Sequence, residues 1–176
     1  SLDLVDKKLV TDQLVLTIGY DTESLTDRDI REKYQGKIAT DRYGRQVPVH
    51  AHGTVNMERP TSSETILMKK AGGLFDRIVN PDLLVRRITL SANHLMHETD
   101  IQPDNRAVQL DLFTDYEKLE KEWKAEEEVL ARERRRQEAV LKIKKKFGKN
   151  AILKGLNYAD GATQKERNQQ IGGHHE

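Results

Sequence analysis

The run Gln109-Leu110-Asp111-Leu112-Phe113 stands isolated between polar segments. The Gln109 amide can both donate and accept hydrogen bonds. Leu112 and Phe113 are adjacent apolar anchors, and a linker gains nothing by exposing them. The run reads either as a docking peptide for a hydrophobic pocket on another protein or as a segment folded back onto its own domain. A second group is built of phosphate donors. Arg86 and Arg87 lead into Thr89 and Ser91, and Thr54 and Asn56 lie on a separate alternating segment. Guanidinium and hydroxyl groups hold a nucleic-acid backbone without reading its sequence. His50 and His52 have the i, i+2 spacing that can bind a metal from a strand, but third and fourth ligands are not evident. His94 and His97 fall at a strand end, and His174-His175 near the last residue. Gly72-Gly73 lacks the lysine and spacing of a phosphate loop. No acidic residues form a convincing catalytic pair. The expectation is therefore no metal site and no catalytic residue in this chain.

These groups sit in 176 residues, of which 36% are hydrophobic, 34% charged and 5% aromatic. That is lean for one large core, so a compact part and a charged, less packed part are expected. The absence of cysteine excludes disulfide scaffolds, thiol catalysis and cysteine zinc sites, and fits a reducing compartment. No apolar run approaches 18 residues and no charged-then-apolar leader is seen, so a cytoplasmic protein without a membrane span is expected. The net charge of +1 hides a local pattern. Residues 1–98 balance 14 bases with 14 acids. Asp115 to Ala131 holds seven acids against three lysines, and Arg132 to Lys149 nine bases against two glutamates. Four segments follow: a domain over 1–98, a linker with the apolar run over 99–114, a charged helix over 115–148, and a flexible tail over 149–176.

Periodicity gives the elements that must position the candidates. Leu2, Val5 and Leu9 share a helical face. Leu14, Leu16, Ile18 and Tyr20 alternate as a strand from Gln13. Residues 21–49 are polar, with a short helix opened by Thr26 and a turn at 41–44; Arg42 and Arg45 there read as a solvated loop rather than a DNA contact. Residues 50–59 alternate again until Pro60. Thr61, Ser62 and Ser63 offer N-caps to a helix over 64–79, with Leu67, Ala71, Leu74, Phe75 and Ile78 inward. Leu83 to Leu95 is the next strand. The order helix, strand, strand, helix, strand is an α+β unit, a βαββαβ split sandwich lacking its first strand. In that arrangement the first strand is expected in the middle of the sheet, and the uncapped start at Leu2 reads as a chain beginning inside a domain.

A sheet covered on one side by helices leaves its other face open. The alternation puts Val15, Thr17 and Gly19; His52, Thr54 and Asn56; and Arg87, Thr89 and Ser91 on that face. The surface is either simply solvated or a seat for a nucleic-acid backbone. In the charged helix, Tyr116, Leu119, Trp123 and Leu130 form a stripe that lapses at Arg134 and Gln137. Its acidic start and basic end complement the helix dipole.

Gln109–Phe113 closely resembles the pentapeptide by which bacterial polymerases bind the sliding clamp. "LVLTIGYD", "RYGRQVPVHAHGTVNM" and "LLVRRITLSANHL" resemble, in this order, the little-finger domain of Y-family translesion DNA polymerases, the UmuC/DinB or polymerase IV-like group. "KNAILKGLNYADGATQKERNQQIGGH" resembles the tail of a bacterial branch of the same family. The resemblance implies an error-prone polymerase of DNA repair and the SOS response. Its partners would be duplex primer-template DNA and the bacterial sliding clamp. By position, Arg86, Arg87, Thr89, Ser91, Thr54 and Asn56 would contact DNA, and Gln109, Leu110, Asp111, Leu112 and Phe113 the clamp. The palm carboxylates and their magnesium ions would lie in another part of such a polymerase, so this chain alone would be inactive and would need no cofactor. The long 21–49 segment departs from the family's shorter connection. The rival reading is a non-polymerase adaptor that docks a partner through Gln109–Phe113 and binds nucleic acid through the basic helix.

Overall fold

In the computed structural model the described residues are 1–101 and 116–169. They fall into two compact units: the first holds Ser1, Asp3 and residues 7–101, the second Leu2, Leu4–Asp6 and residues 116–169. The architecture is α+β, with an antiparallel sheet in the first unit and a long helix in the second.

The centre of the first unit is strand β1, Leu9–Tyr20. Its Leu14, Leu16, Ile18 and Tyr20 are all buried, as a period of two requires of a strand with one covered face. Two short helices follow, α2 at Glu23–Thr26 and α3 at Arg28–Lys33. Strands β2 (Ile38–Thr40) and β3 (Gln46–Pro48) form a separate hairpin. Then come β4 (Ala51–Thr61), helix α4 (Glu64–Ile78), β5 (Val85–Asn93) and the short β6 (Met96–His97). The sheet order is β4-β1-β5, and β6 pairs with the start of β1. Ser63 caps α4 by accepting from the Ile66 N–H at 3.3 Å, as the run of hydroxyls at 61–63 predicts. Leu16, Ile18, Tyr20, Leu74 and Leu83 form the core, with Val55, Phe75 and Ile78 against it.

The expectation of a vacant position in the middle of the sheet is not met. β1 is bonded along both sides, from Gln13 to Ile18 against β4 and from Gln13 to Tyr20 against β5. Strand boundaries also move. β1 begins at Leu9 rather than Gln13, because Thr11 and Asp12 interrupt both the alternation and the register with β4. Buried Thr11 donates its hydroxyl to the Gln13 and Asn93 carbonyls, which satisfies it at this irregularity. β4 continues past Pro60, and Thr11 pairs with Thr61 beyond the break. Asp27, not Thr26, caps the helix of the polar segment, accepting from the Ile30 N–H at 3.1 Å.

In the second unit, helix α5 runs from Tyr116 to Phe147. It ends at Gly148, whose φ of 93° is the left-handed conformation that suits glycine after a helix. Glu120–Lys124 and Arg134–Glu138 pair one turn apart at 2.7 and 3.0 Å. Where the apolar stripe lapses, Gln137 is buried, as is Glu133 next to the half-buried Arg134. Lys145 also pairs with Asp6 of helix α1, Leu2–Asp6. The segment expected to be a flexible tail carries a 3-10 turn at Gly155–Tyr158 and a short helix α6 at Gln164–Arg167. Asn150 ties it together, donating to the Lys165 carbonyl at 3.1 Å and accepting from the Asn168 amide at 2.7 Å.

Candidate nucleic-acid interface

The register brings together the open-face residues that alternation assigns. Thr17 lies between His52 and Thr89, and Val15 between Thr54 and Ser91. Gly19 lies beside Arg87 at the end of the face. Thr54, Asn56, Arg87, Thr89 and Ser91 are therefore on one surface, and all are exposed. The Thr17 hydroxyl and His52 Nδ1 are 3.0 Å apart, which ties β1 to β4 in the middle of the face.

One row extends the site. Gln13 lies between Asn56 and Asn93. Gln13 Nε2 donates to Asn56 Oδ1 at 3.0 Å, and Asn93 Nδ2 donates to Gln13 Oε1 at 3.3 Å. Three amides on three strands thus form one hydrogen-bonded ladder. Reading the strand from Gln13 onward hid this row, since Gln13 then marks an end rather than a position on the face. The available signal was the matching pleat position of Asn93, two residues after Ser91.

Arg86 and Arg87 separate. Tyr20 pairs with Val85 and Gly19 with Arg87, so Arg86 is the extra residue at a register shift. Its Nη1 stands 3.8 Å from Asp21 Oδ2. The Asp21 carboxyl is held below its ordinary pKa, chiefly by accepting from the Glu23 backbone N–H, with the Thr22 hydroxyl and the Arg86 charge assisting. Arg87 has no acidic partner among the described residues. It is the more available guanidinium for a phosphate, while Arg86 is partly engaged at home.

Both arginines line a cleft of about 270 Å³. Its other walls include Gly19, His50, Asp41 and Arg45. The polar segment read as a loop therefore contributes a β-hairpin to the edge of the site. Asp41 Oδ1 accepts from the backbone N–H groups of Tyr43 and Arg45, at 2.8 and 3.0 Å. Gly44 completes the turn with φ of 78°. Arg45 donates from Nε and Nη2 to Asp41 Oδ2 at 2.9 and 2.7 Å.

Among the described residues no cluster of three metal-ligating side chains exists. His50 belongs to the cleft, and His94 Nδ1 lies 3.0 Å from Asp12 Oδ1, so the histidines are dispersed. No helix among the described residues is long and apolar enough to cross a membrane. The apolar run Gln109, Leu110, Asp111, Leu112 and Phe113 lies outside the described residues. No family model, curated protein or solved structure matches the chain.

Proposed function

We propose that this chain is the DNA-holding and clamp-tethering part of a Y-family translesion polymerase, with the first unit as its little finger. The observation that carries the reading is the open sheet face, where Thr17, Thr54, Thr89, Ser91 and an amide ladder sit in register with Arg87 at one end. Hydroxyls, amides and a guanidinium are the groups that grip phosphates and sugars without choosing a sequence. A polymerase that must pass any template needs that kind of grip. Gln109–Phe113 would tether the same chain to the bacterial sliding clamp. Chemistry would come from palm carboxylates and magnesium ions elsewhere in the polymerase; this chain would hold and position the duplex.

The test is the salt dependence of duplex binding by the full chain. Each neutralised phosphate contributes a log–log slope of about −0.9. Arg87→Ala is expected to flatten the slope by roughly one unit, equally for two unrelated duplex sequences. An unchanged slope sinks the sheet-face reading. Loss of binding on neutralising Lys142, Lys144 and Lys145, with Arg87→Ala silent, would move the contact to α5 and favour the adaptor.

A further inference from the structure

The segment between α3 and β4 has a surface of its own. Tyr43, at the tip of the β2–β3 hairpin, is 65% exposed. Two guanidiniums flank its ring: Arg42 Cζ lies 4.7 Å and Arg45 Cζ 5.2 Å from the ring centre. Arg42 also donates from Nη2 to the Tyr43 hydroxyl. Cation–π contact and hydrogen bonding hold these cations in place before any ligand arrives. Holding them in advance reduces the ordering cost of binding. Arg45 is fixed from the other side by Asp41, yet this bond uses only its Nε and Nη2 and leaves the Nη1 donors. Arg45 then shares the cleft with Arg86 and Arg87, where Asp41 is the one acidic wall. An excess of guanidinium donors in a cleft that Gly19 also lines suits a phosphate diester, whose oxygens accept from planar arginine forks.

We infer that the Ile38–Pro48 hairpin is a second DNA-contacting element, in which Arg45 joins Arg87 on a backbone phosphate at the cleft and the Arg42–Tyr43 tip lies against the adjoining part of the duplex. The inference rests on the reading of the sheet face as a DNA seat and extends that seat beyond the sheet. The polar segment thereby becomes a built arm, with its turn fixed by Asp41 and Gly44.

Two measurements on the full chain test it. The first is the salt slope of duplex binding for Arg42→Ala combined with Arg45→Gln. A flattening of roughly one to two units, the same for unrelated sequences, is expected. The second places p-azidophenylalanine at position 43, keeping an aromatic ring, and irradiates the protein with end-labelled duplex. A protein–DNA cross-link is expected, competed away by unlabelled duplex. Both results are required. An unchanged slope overturns the phosphate contact, and a missing cross-link overturns the placement of the tip, even if the slope falls through loss of the turn. Arg87→Ala separates this inference from the reading beneath it. If Arg87→Ala flattens the slope and the hairpin variant does not, the arm falls and the sheet face stands. If the hairpin variant acts and Arg87→Ala is silent, the sheet face falls, and the shared Arg45–Arg87 phosphate contact falls with it. No measurable duplex binding by the unaltered chain overturns both.

Discussion

Gly53 on β4 lies directly beneath Leu74 of α4: a β-carbon built on Gly53 would stand 2.9 Å from Leu74 Cδ1 and 3.0 Å from Ile78 Cγ2. The glycine lets the helix approach the sheet closely, and Leu74 is almost wholly buried as a result. Gly53→Ala is expected to destabilise the chain by about 1–3 kcal/mol through overpacking. Leu74→Ala alone should cost about 2–5 kcal/mol by opening a cavity. The two changes together should cost less than their sum, because the new methyl occupies space that the leucine vacates. Denaturant melts of the four proteins give the coupling energy. Strict additivity would mean that Gly53 and Leu74 do not share this space.

Much of the first unit is readable from periodicity, and the reason is geometric. A strand with one buried face has only one acceptable pleat assignment, since a one-residue slip would turn Leu14, Leu16 and Ile18 outward. Thr54, Thr89 and Ser91 follow as the opposite face. What escaped the sequence were irregularities. Alternation places Arg87 and not Arg86 on the open face, but it cannot register the extra residue at Arg86, which shifts the pairing so that Val85 meets Tyr20. Gln13 follows the irregularity at Thr11 and Asp12 inside β1, and Asn93 is the last residue of β5. The hairpin at 38–48 has strands of three residues, too short for any period to show, and only its Asp41–Gly44 turn was legible. The vacant centre of the sheet was inferred from overall topology rather than from residue contacts, and hydrogen bonding along both sides of β1 corrects it.

The proposed clamp tether has a quantitative expectation. A fully buried Leu or Phe side chain contributes about 1.5–3 kcal/mol. If Leu112 and Phe113 both seat in a pocket, replacing both with Ala should weaken binding by two or more orders of magnitude, at roughly tenfold per 1.4 kcal/mol. Gln109→Ala should weaken it less. Titration of a labelled 108–114 peptide and its variants against a bacterial sliding clamp measures this. Equal affinities for the parent and double-alanine peptides would remove these residues as anchors.

The hairpin should respond to acid in a defined direction. Asp41 is held below its ordinary pKa, first by the Arg45 backbone N–H and then by the Arg45 side chain, with the Tyr43 N–H adding to them. A depressed folded pKa means that the ionised carboxylate favours the turn. Its contribution is fully present above the unfolded aspartate pKa of about 3.9 and is lost as pH falls through the lower folded value. The Tyr43 and Arg45 amide resonances should therefore keep their positions from neutral pH to about 4 and shift only below it. An Asp41 midpoint at or above about 3.9 would show that these bonds do not favour the charged form.

The open edge of the sheet at β5 has a consequence for association. Ile88 and Leu90 pair with Ile18 and Leu16 and share their face, yet they are 55% and 47% exposed. The outer side of β5 has no strand against it among the described residues. An open edge carrying apolar side chains favours pairing with another chain. Leu90→Lys is expected to reduce concentration-dependent association in sedimentation velocity while changing monomer stability little. Association that persists unchanged in this variant would place the contact elsewhere.

The amide ladder gives the sharpest separation of binding from folding. Asn93, Gln13 and Asn56 exchange exposed side-chain hydrogen bonds, which compete with water and add little to stability. Gln13→Ala should therefore shift the unfolding free energy by no more than about 0.5 kcal/mol. If the face holds a duplex, the same change removes the group that orients Asn56 and Asn93 toward sugar and phosphate. Affinity should then fall several-fold, by a similar factor for unrelated duplexes, with no change in salt slope because no charge is lost. That combination distinguishes an orienting amide from a lost cation, which would flatten the slope. A fall confined to one sequence would make the ladder a base-reading element and contradict a sequence-blind grip. An unchanged affinity would confine the DNA surface to the Arg87 end of the face.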